Sequence, residues 1–260
     1  MSKASSQILF QNISFTHEGA SRPLFKGLTA HFTAGWTGVV GANGTGKSTL
    51  LKLAAGELPP RWGRVVGPDS VLYCRQRTDA APEDLDALIH ATSGHAHRIR
   101  GQLGVADEWH RRWDSLSHGE RKRAQLAVAL WRRPRALAVD EPTNHLDAEA
   151  QELVYAALAA FPGVGLLVSH DRRLLDDLCH QCLFLDPPEA VLRPGNYTRG
   201  ARQARRELET AVRDRRQAKQ SLTRLQREAN KRRAAASQAD QKRSKRGLSR
   251  KDHDAKSKIN

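Results

Sequence analysis

Thr37-Gly38-Val39-Val40-Gly41-Ala42-Asn43-Gly44-Thr45-Gly46-Lys47-Ser48-Thr49-Leu50 reads as a short apolar strand, a glycine-rich loop and the start of a helix. Residues 41–48 match the phosphate-loop pattern in full. Glycines let a backbone wrap close to phosphates, and several N–H groups then point inward at the mouth of a helix whose dipole favours negative charge. Gly41, Ala42, Asn43, Gly44, Thr45 and Gly46 are therefore the expected cradle. Lys47 is expected to reach the β- and γ-phosphates, Ser48 to hold Mg²⁺ through its hydroxyl, and Thr49 to support the α-phosphate side.

Outward from that loop the chain alternates between strands and helices, the pattern of an α/β domain. Ile8 to Phe15 alternates like an edge strand, while Ala136 to Val139 and Val164 to Val168 are unbroken apolar runs, as in strands covered on both faces of a parallel sheet. Between residues 82 and 131 the spacing is helical, which predicts a small inserted helical subdomain over about 77–133. The turn signals Asp186-Pro187-Pro188 and Pro194-Gly195-Asn196 close the domain.

Acids stand where the apolar run 136–139 ends. Asp140 is placed to bind Mg²⁺ through water, and Glu141 to polarise the water that attacks a γ-phosphate. Gln76, after the run Val71 to Tyr73, is the candidate that senses Mg²⁺ and the attacking water. His170 follows another buried run and is the candidate switch that contacts the γ-phosphate and orients Glu141. Ser117-His118-Gly119-Glu120 predicts a capping box for a helix from about Gly119 to Trp131. Arg121, Lys122 and Arg123 then fall in a first turn where the helix dipole disfavours cations, and an anion near that helix end would account for them.

Charge is not spread evenly. Residues 1–198 carry 22 Lys and Arg against 21 Asp and Glu, whereas residues 199–260 carry 21 against 7, so nearly all of the net +15 sits in the last quarter. In that tail Leu208, Ala211, Ala218, Leu222, Leu225 and Ala229, with Arg215 interrupting between Ala211 and Ala218, fall in steps of three and four, a heptad seam. After Ala236 the sequence turns polar and basic. The expectation is one arm and the tip of a helical hairpin whose return arm is absent or scarcely begun.

Cys74, Cys179 and Cys182 are odd in number, which suggests a reducing cytosol rather than a disulfide framework. Cys179-His180-Gln181-Cys182 has metal-ligand spacing at one end only and reads as a helix-to-strand transition. No apolar run approaches the roughly 18 residues of a membrane span, and the first residues lack the apolar stretch of a secretion signal. A cytoplasmic protein is expected.

From residue 8 to about 198 the chain resembles ATP-binding cassette proteins, with the motifs in the family's order. They are the phosphate loop at 41–48, glutamine loop at Gln76, signature at 116–120, magnesium strand at 136–141, aspartate loop at 144–147 and switch histidine at 170. Glu141-Pro142-Thr143-Asn144-His145-Leu146-Asp147 and Ser169-His170-Asp171-Arg172 resemble the ABC-F subfamily, whose soluble members act on ribosomes. So does Pro194-Gly195-Asn196-Tyr197 followed by a long basic helix.

The resemblance implies a P-loop ATPase taking ATP and Mg²⁺, with an edge antiparallel β part and a helical subdomain in a cassette over 1–198. A basic helical linker occupies 199–260. It implies head-to-tail packing with a second cassette, so that Ser117 and Gly119 bind the γ-phosphate held by that partner. It also implies that the linker contacts ribosomal RNA and tRNA near the peptidyl-transferase centre, with no membrane domain. Where the subfamily has an adenine-stacking Tyr this sequence offers His17, with Phe15 two residues before. His118 stands where the family has Gly and adds bulk beside the partner's phosphate. Only 39 residues separate Gln76 from Leu116, so the extra helical arm of some members is expected to be missing. With one cassette the chain must homodimerise, act with another chain or be a piece of a tandem protein, and the incomplete hairpin favours the last. The alternatives are a transporter's energy-coupling subunit, which has no use for the heptad tail, and a branched-DNA-binding ATPase, which the basic tail permits.

Overall fold

The computed structural model describes residues 7–256, with side chains described for 7–238. Two sheets form the centre. Strands β1 (Ile8–Phe15), β2 (Phe25–Phe32) and β4 (Trp62–Val66) make an antiparallel sheet in the order β2-β1-β4. The larger sheet runs β5 (Val71–Cys74), β6 (Ala136–Asp140), β7 (Val164–Val168), β3 (Gly35–Val40), β8 (Cys179–Asp186), β9 (Glu189–Pro194). Its first five strands are parallel, and β9 returns antiparallel to β8 through the turn at Pro187-Pro188.

The unbroken apolar runs have a simple cause. Side chains alternate across a strand, so Ala136 and Ala138 of β6, with Val164, Leu166 and Val168 of β7, enter one core. Leu137, Val139 and Leu167 enter the other. The first core is shared with the antiparallel sheet and with α1 (Lys47–Ala54), through Leu50, Leu51 and Leu53. The second is closed by α4 (His118–Trp131), α5 (Ala148–Ala159) and α6 (Arg172–Leu178). Gly165 is required by this packing, since a Cβ there would lie 2.3 Å from the Trp36 ring, which is itself fixed by Nε1–H donating to the Leu158 carbonyl at 2.8 Å.

The stretch between β5 and β6 holds α2 (Leu85–His90), α3 (Gly94–Leu103), two short 3₁₀ turns at Asp107–Arg111 and Trp113–Ser115, and α4. Cys179 does follow α6 and open β8, the predicted helix-to-strand transition, and all three cysteines are buried and unpaired as disulfides.

The last helix, α7, spans Tyr197–Lys256. The hairpin tip placed after Ala236 is not seen, because the helix continues through that point. Ala, Lys, Arg and Gln are good helix formers and no proline interrupts them, so local propensity outweighs the change in pattern. The chain divides into a compact unit through Arg202 and the remainder of the helix. On that helix Leu208, Val212, Leu222 and Leu225 are exposed. No helix among the described residues is long and apolar enough to cross a membrane.

Candidate functional site

The carboxyl ends of the parallel strands β3, β6 and β7 carry Gly41, Asp140 with Glu141, and Ser169 with His170, so the topology delivers three separate motifs to one crevice. The crevice is a cavity of about 520 Å³ lined by Asn43, Gly44, Gly46, Lys47, Ser48, Thr49, Gln76, Asp140, Glu141, Asn144 and His170, with His17 and Leu24 at one end.

The phosphate loop is held by its own bonds. Thr45 donates from N–H and Oγ1 to the Ala42 carbonyl, and Lys47 Nζ donates to the carbonyls of Gly41 and Ala42 at 2.9 and 3.1 Å. Gly46 caps α1 at φ 94°, a left-handed conformation that favours glycine, and a Cβ there would press to 2.6 Å on Leu24. Gly41, Ala42 and Thr45 thus shape the loop, and the remaining loop residues face the cavity.

Asp140 is buried, and its Oδ2 accepts from the Tyr73 hydroxyl at 3.0 Å. Burial first, and then the neighbouring Asp140 carboxylate, push the Tyr73 phenol well above its ordinary range, which keeps it a donor. Glu141 is buried too, and its backbone sits at φ 48°, an uncommon value for a side chain of that size. Two bonds hold it there: its N–H donates to the Val168 carbonyl at 2.9 Å, and its Oε2 accepts from the His170 N–H at 3.1 Å. The His170 Nε2 lies 3.4 Å from Oε1, and Oε1 has no hydrogen-bond partner although it is buried. A buried acceptor without a partner calls for one.

A hydroxyl, a carboxylate and an amide oxygen, from Ser48, Asp140 and Gln76, are the hard oxygen donors that suit Mg²⁺, and all three line the cavity. Of the two candidates for stacking on a base, His17 lines the cavity, and its Nε2 is 3.2 Å from the Thr49 hydroxyl. Phe15 does not line it. It is packed in the core shared with the antiparallel sheet and meets the His17 ring in a T-shaped contact, at 5.0 Å between centroids. The reason is a bulge in β1 at Asn12 (φ 54°), after which the inward positions become Ile13 and Phe15.

Ser117 and Gly119 lie outside the cavity, at the start of α4. The capping box is formed: Ser117 Oγ accepts from the Glu120 N–H, and Glu120 Oε2 accepts from the Ser117 N–H at 2.8 Å. Burial raises the Glu120 pKa, but these bonds from Ser117, with Arg112 and Arg123 nearby, outweigh it and leave the pKa lowered. Gly119 packs on Leu146 of the aspartate loop, where a Cβ would meet Leu146 at 3.0 Å.

The anion expected to account for Arg121, Lys122 and Arg123 is not needed. Arg121 donates to the carbonyls of Trp113 and Asp114 and lies over the Trp113 ring. Arg123 donates to the carbonyls of Leu103 and Gly104 at the C-terminus of α3, the end whose unpaired carbonyls attract a cation. Lys122 turns inward, to the carbonyls of Arg75 and Asp140. Carbonyls reached by long side chains, invisible in a one-dimensional pattern, decide the matter.

Lys122 and Tyr73 are the two residues at this site that sequence reasoning missed. Tyr73 belongs to it because β5 pairs with β6 in a register that sets it beside Ala138, two residues before Asp140. A second cavity, of about 420 Å³, shares Gln76, Glu141 and Asn144 with the first and is lined further by Lys122, His118 and His145. The rings of His118 and His145 are 6.0 Å apart.

Residues 25–144 match the family model described as ABC transporter. The probable ATP-binding protein YheS of Haemophilus influenzae is 38% identical over 149 residues, covering 53% of this chain and 23% of that protein. The ribosome protection protein VmlR of Bacillus subtilis is 31% identical over 195 residues, covering 74% of this chain and 33% of VmlR. The chain thus spans about a quarter of the length of the first relative and a third of the second. Among solved structures, a dimeric post-hydrolysis state of the ATP-binding cassette MJ0796 bound to ADP and Pi superposes with a TM-score of 0.63. It is 18% identical and covers 72% of this chain and 98% of that one, a likeness of fold.

Proposed function

The chain belongs to the ATP-binding cassette family, with the motifs of its ABC-F subfamily, and from that premise we propose that it binds and hydrolyses ATP as one cassette of a two-cassette protein acting on the ribosome. The observation that carries the hydrolytic half is Glu141. Its carboxylate is buried at the cavity wall, fixed through Oε2 by the backbone of His170, and keeps Oε1 free to accept a proton from a water.

Each residue then has a task. The N–H groups of residues 43, 44 and 46–48 and the Lys47 ammonium bind phosphate oxygens, and His17 lies against the base. Ser48, Asp140 and Gln76 would hold Mg²⁺, which when bound supplies positive charge against the β- and γ-phosphate oxygens. Glu141 orients and deprotonates the attacking water. His170, with its side chain at the cavity rim, contacts the γ-phosphate and keeps Glu141 aimed.

The second cassette supplies its own Ser and Gly equivalents to this nucleotide, and Ser117 and Gly119 close on the partner's. Dimeric packing of the structurally similar cassette supports this reading. Similarity to a ribosome protection protein over 74% of the chain supports the ribosome as the partner. The segment from residue 199 onward, with its excess of 14 positive charges, supplies salt-sensitive contacts to ribosomal RNA and tRNA phosphates. We place the protein in the cytoplasm, where ribosomes are and where three free thiols persist.

Glu141→Gln is the test. It keeps the size and the Oε position that accepts from His170, and removes the base. ATP binding should remain, turnover should fall about 10²- to 10⁴-fold, and the longer protein should be trapped on ribosomes in ATP. Sedimentation free of ribosomes at moderate salt, or displacement from them by branched DNA, overturns the translation reading. Undiminished turnover overturns the hydrolytic one.

A further inference from the structure

Lys122 is a lysine where a core side chain belongs. It stands in the second turn of α4, 3% exposed, with Ala124 and Leu126 beside it in the core. Its Nζ donates to three acceptors: the Arg75 carbonyl at 2.6 Å, the Asp140 carbonyl at 3.0 Å and Gln125 Oε1 at 3.2 Å. An ammonium has three protons, so its bonding capacity is filled by these three. Burial pushes its pKa down to about 8, with Cys74, Asp140 and Glu141 opposing that shift.

Two of the acceptors are informative. A peptide unit is planar, so fixing a carbonyl oxygen fixes the N–H and Cα of the next residue. The Arg75 carbonyl belongs to the peptide leading into Gln76, and the Asp140 carbonyl to the peptide leading into Glu141. One buried cation therefore grips the two peptides that place the two polar side chains proposed to handle the attacking water. It does so at Glu141 where the backbone is held at φ 48° and has a more relaxed conformation to fall back to. The same lysine is five residues from Ser117 on one helix, so the grip also joins the surface proposed to meet a second cassette to this chain's own hydrolytic carboxylate.

We infer that Lys122 is a positioning residue, whose ammonium locks the peptides 75–76 and 140–141 to the signature helix and so aligns Gln76 and Glu141 for hydrolysis. The catalytic part rests on the ATPase reading above, and the structural part does not. A buried lysine serving only as core support would have no preference for these two peptides.

The test uses Lys122→Met, which keeps length and loses the donors, and Lys122→Arg, which keeps the charge but not the compact ammonium. ATP affinity should stay within about threefold for both. Turnover should fall about ten- to a hundredfold for Lys122→Met, the effect of misplacing a reacting group by roughly an ångström. Hydrogen exchange should accelerate at residues 75–78 and 141–145 and stay unchanged in β8 and β9. Should Lys122→Met not fold, Lys122→Gln, which retains a shorter donor, is measured in its place. Unchanged turnover together with unchanged exchange at both segments overturns the inference. So does a uniform rise in exchange with ATP affinity and turnover lost in proportion. Glu141→Gln measured in parallel separates the two readings: if it hydrolyses ATP like the wild type, the ATPase proposal fails and the exchange pattern alone decides the role of Lys122.

Discussion

Removing the Tyr73 hydroxyl, by Tyr73→Phe, isolates one bond at Asp140, the carboxylate proposed to hold Mg²⁺, without opening a cavity. The hydroxyl donates to Asp140 Oδ2 at 3.0 Å, and Asp140 is 2% exposed, so the oxygen it serves has little access to bulk water. A hydrogen bond to a charged acceptor contributes about 1.5–3 kcal/mol, and Tyr73 is only half-buried, which favours the lower half of that range. For a unit of about 200 residues, 1 kcal/mol moves the melting temperature by roughly 2–4 °C, so a fall of about 3–9 °C is expected without nucleotide. The sign reverses for the metal. A carboxylate relieved of a donor carries more negative charge toward its remaining partners, so Mg²⁺ should bind more tightly to the variant and Mg²⁺-ATP should close most of the gap in melting temperature. Thermal melts with and without Mg²⁺-ATP, and a magnesium titration followed by nucleotide fluorescence, measure both effects. A variant that melts with the wild type, or that binds Mg²⁺ more weakly, would refute the role given to this bond.

Two further outcomes follow from the start of α4 and from the basic helix. Glu120 has a lowered pKa in the fold, so its contribution is present above the unfolded glutamate value of about 4.3 and is lost as the pH falls through the folded value. Glu120→Gln should therefore be less stable than the wild type at pH 6, with the difference shrinking below pH 4; urea melts across that range check it, and a pH-independent gap contradicts it. Truncation after Arg202 should leave ATP binding within about twofold, since the cavity draws on no residue beyond His170. RNA affinity and its salt dependence should collapse with the loss of the helix's positive charges. Unchanged RNA affinity by filter binding would move the polyanion site onto the cassette.

Motifs that sit at strand ends were legible in the sequence, because a parallel sheet delivers strand ends to one edge whatever the details of packing. Gly41–Ser48, Asp140, Glu141 and His170 needed only their order and the apolar runs before them. What stayed hidden depends on register and reach. Phe15 looked available to a base until the bulge at Asn12 turned it into the core, and a bulge of one residue leaves only a faint mark on an alternating pattern. Tyr73 became a ligand of Asp140 through the pairing of β5 with β6. The position of Arg121, Lys122 and Arg123 in the sequence points to an anion, whereas each of them reaches back to carbonyls of another element, and side-chain length allows that over distances no local rule covers. The hairpin tip failed for the opposite reason: composition changed after Ala236 but helix propensity did not.

The division of labour between the strand ends and the start of α4 bears on how a pair of cassettes could avoid hydrolysing ATP while apart. The residues proposed to serve the chain's own nucleotide hang from strand ends and are buried or tied by backbone bonds. Ser117 and Gly119 stand at a helix start, beside the aspartate loop, and do not line the cavity. If each were independent, closing on a partner would report nothing to the water held by Glu141. The route available is mechanical. A helix moves nearly as a rigid body over five residues, so pressure on Ser117 shifts Lys122, and Lys122 holds the peptide of Glu141 at a dihedral it would otherwise leave. On that reasoning Ser117→Ala, which removes the cap and any contact with a partner's phosphate, should lower turnover in the two-cassette protein. It should leave exchange at 75–78 and 141–145 as slow as in the wild type, whereas Lys122→Met should lower turnover and quicken exchange together. If Ser117→Ala quickens exchange at those segments as much as Lys122→Met does, then the helix start itself, not the lysine, holds the site, and the route runs elsewhere.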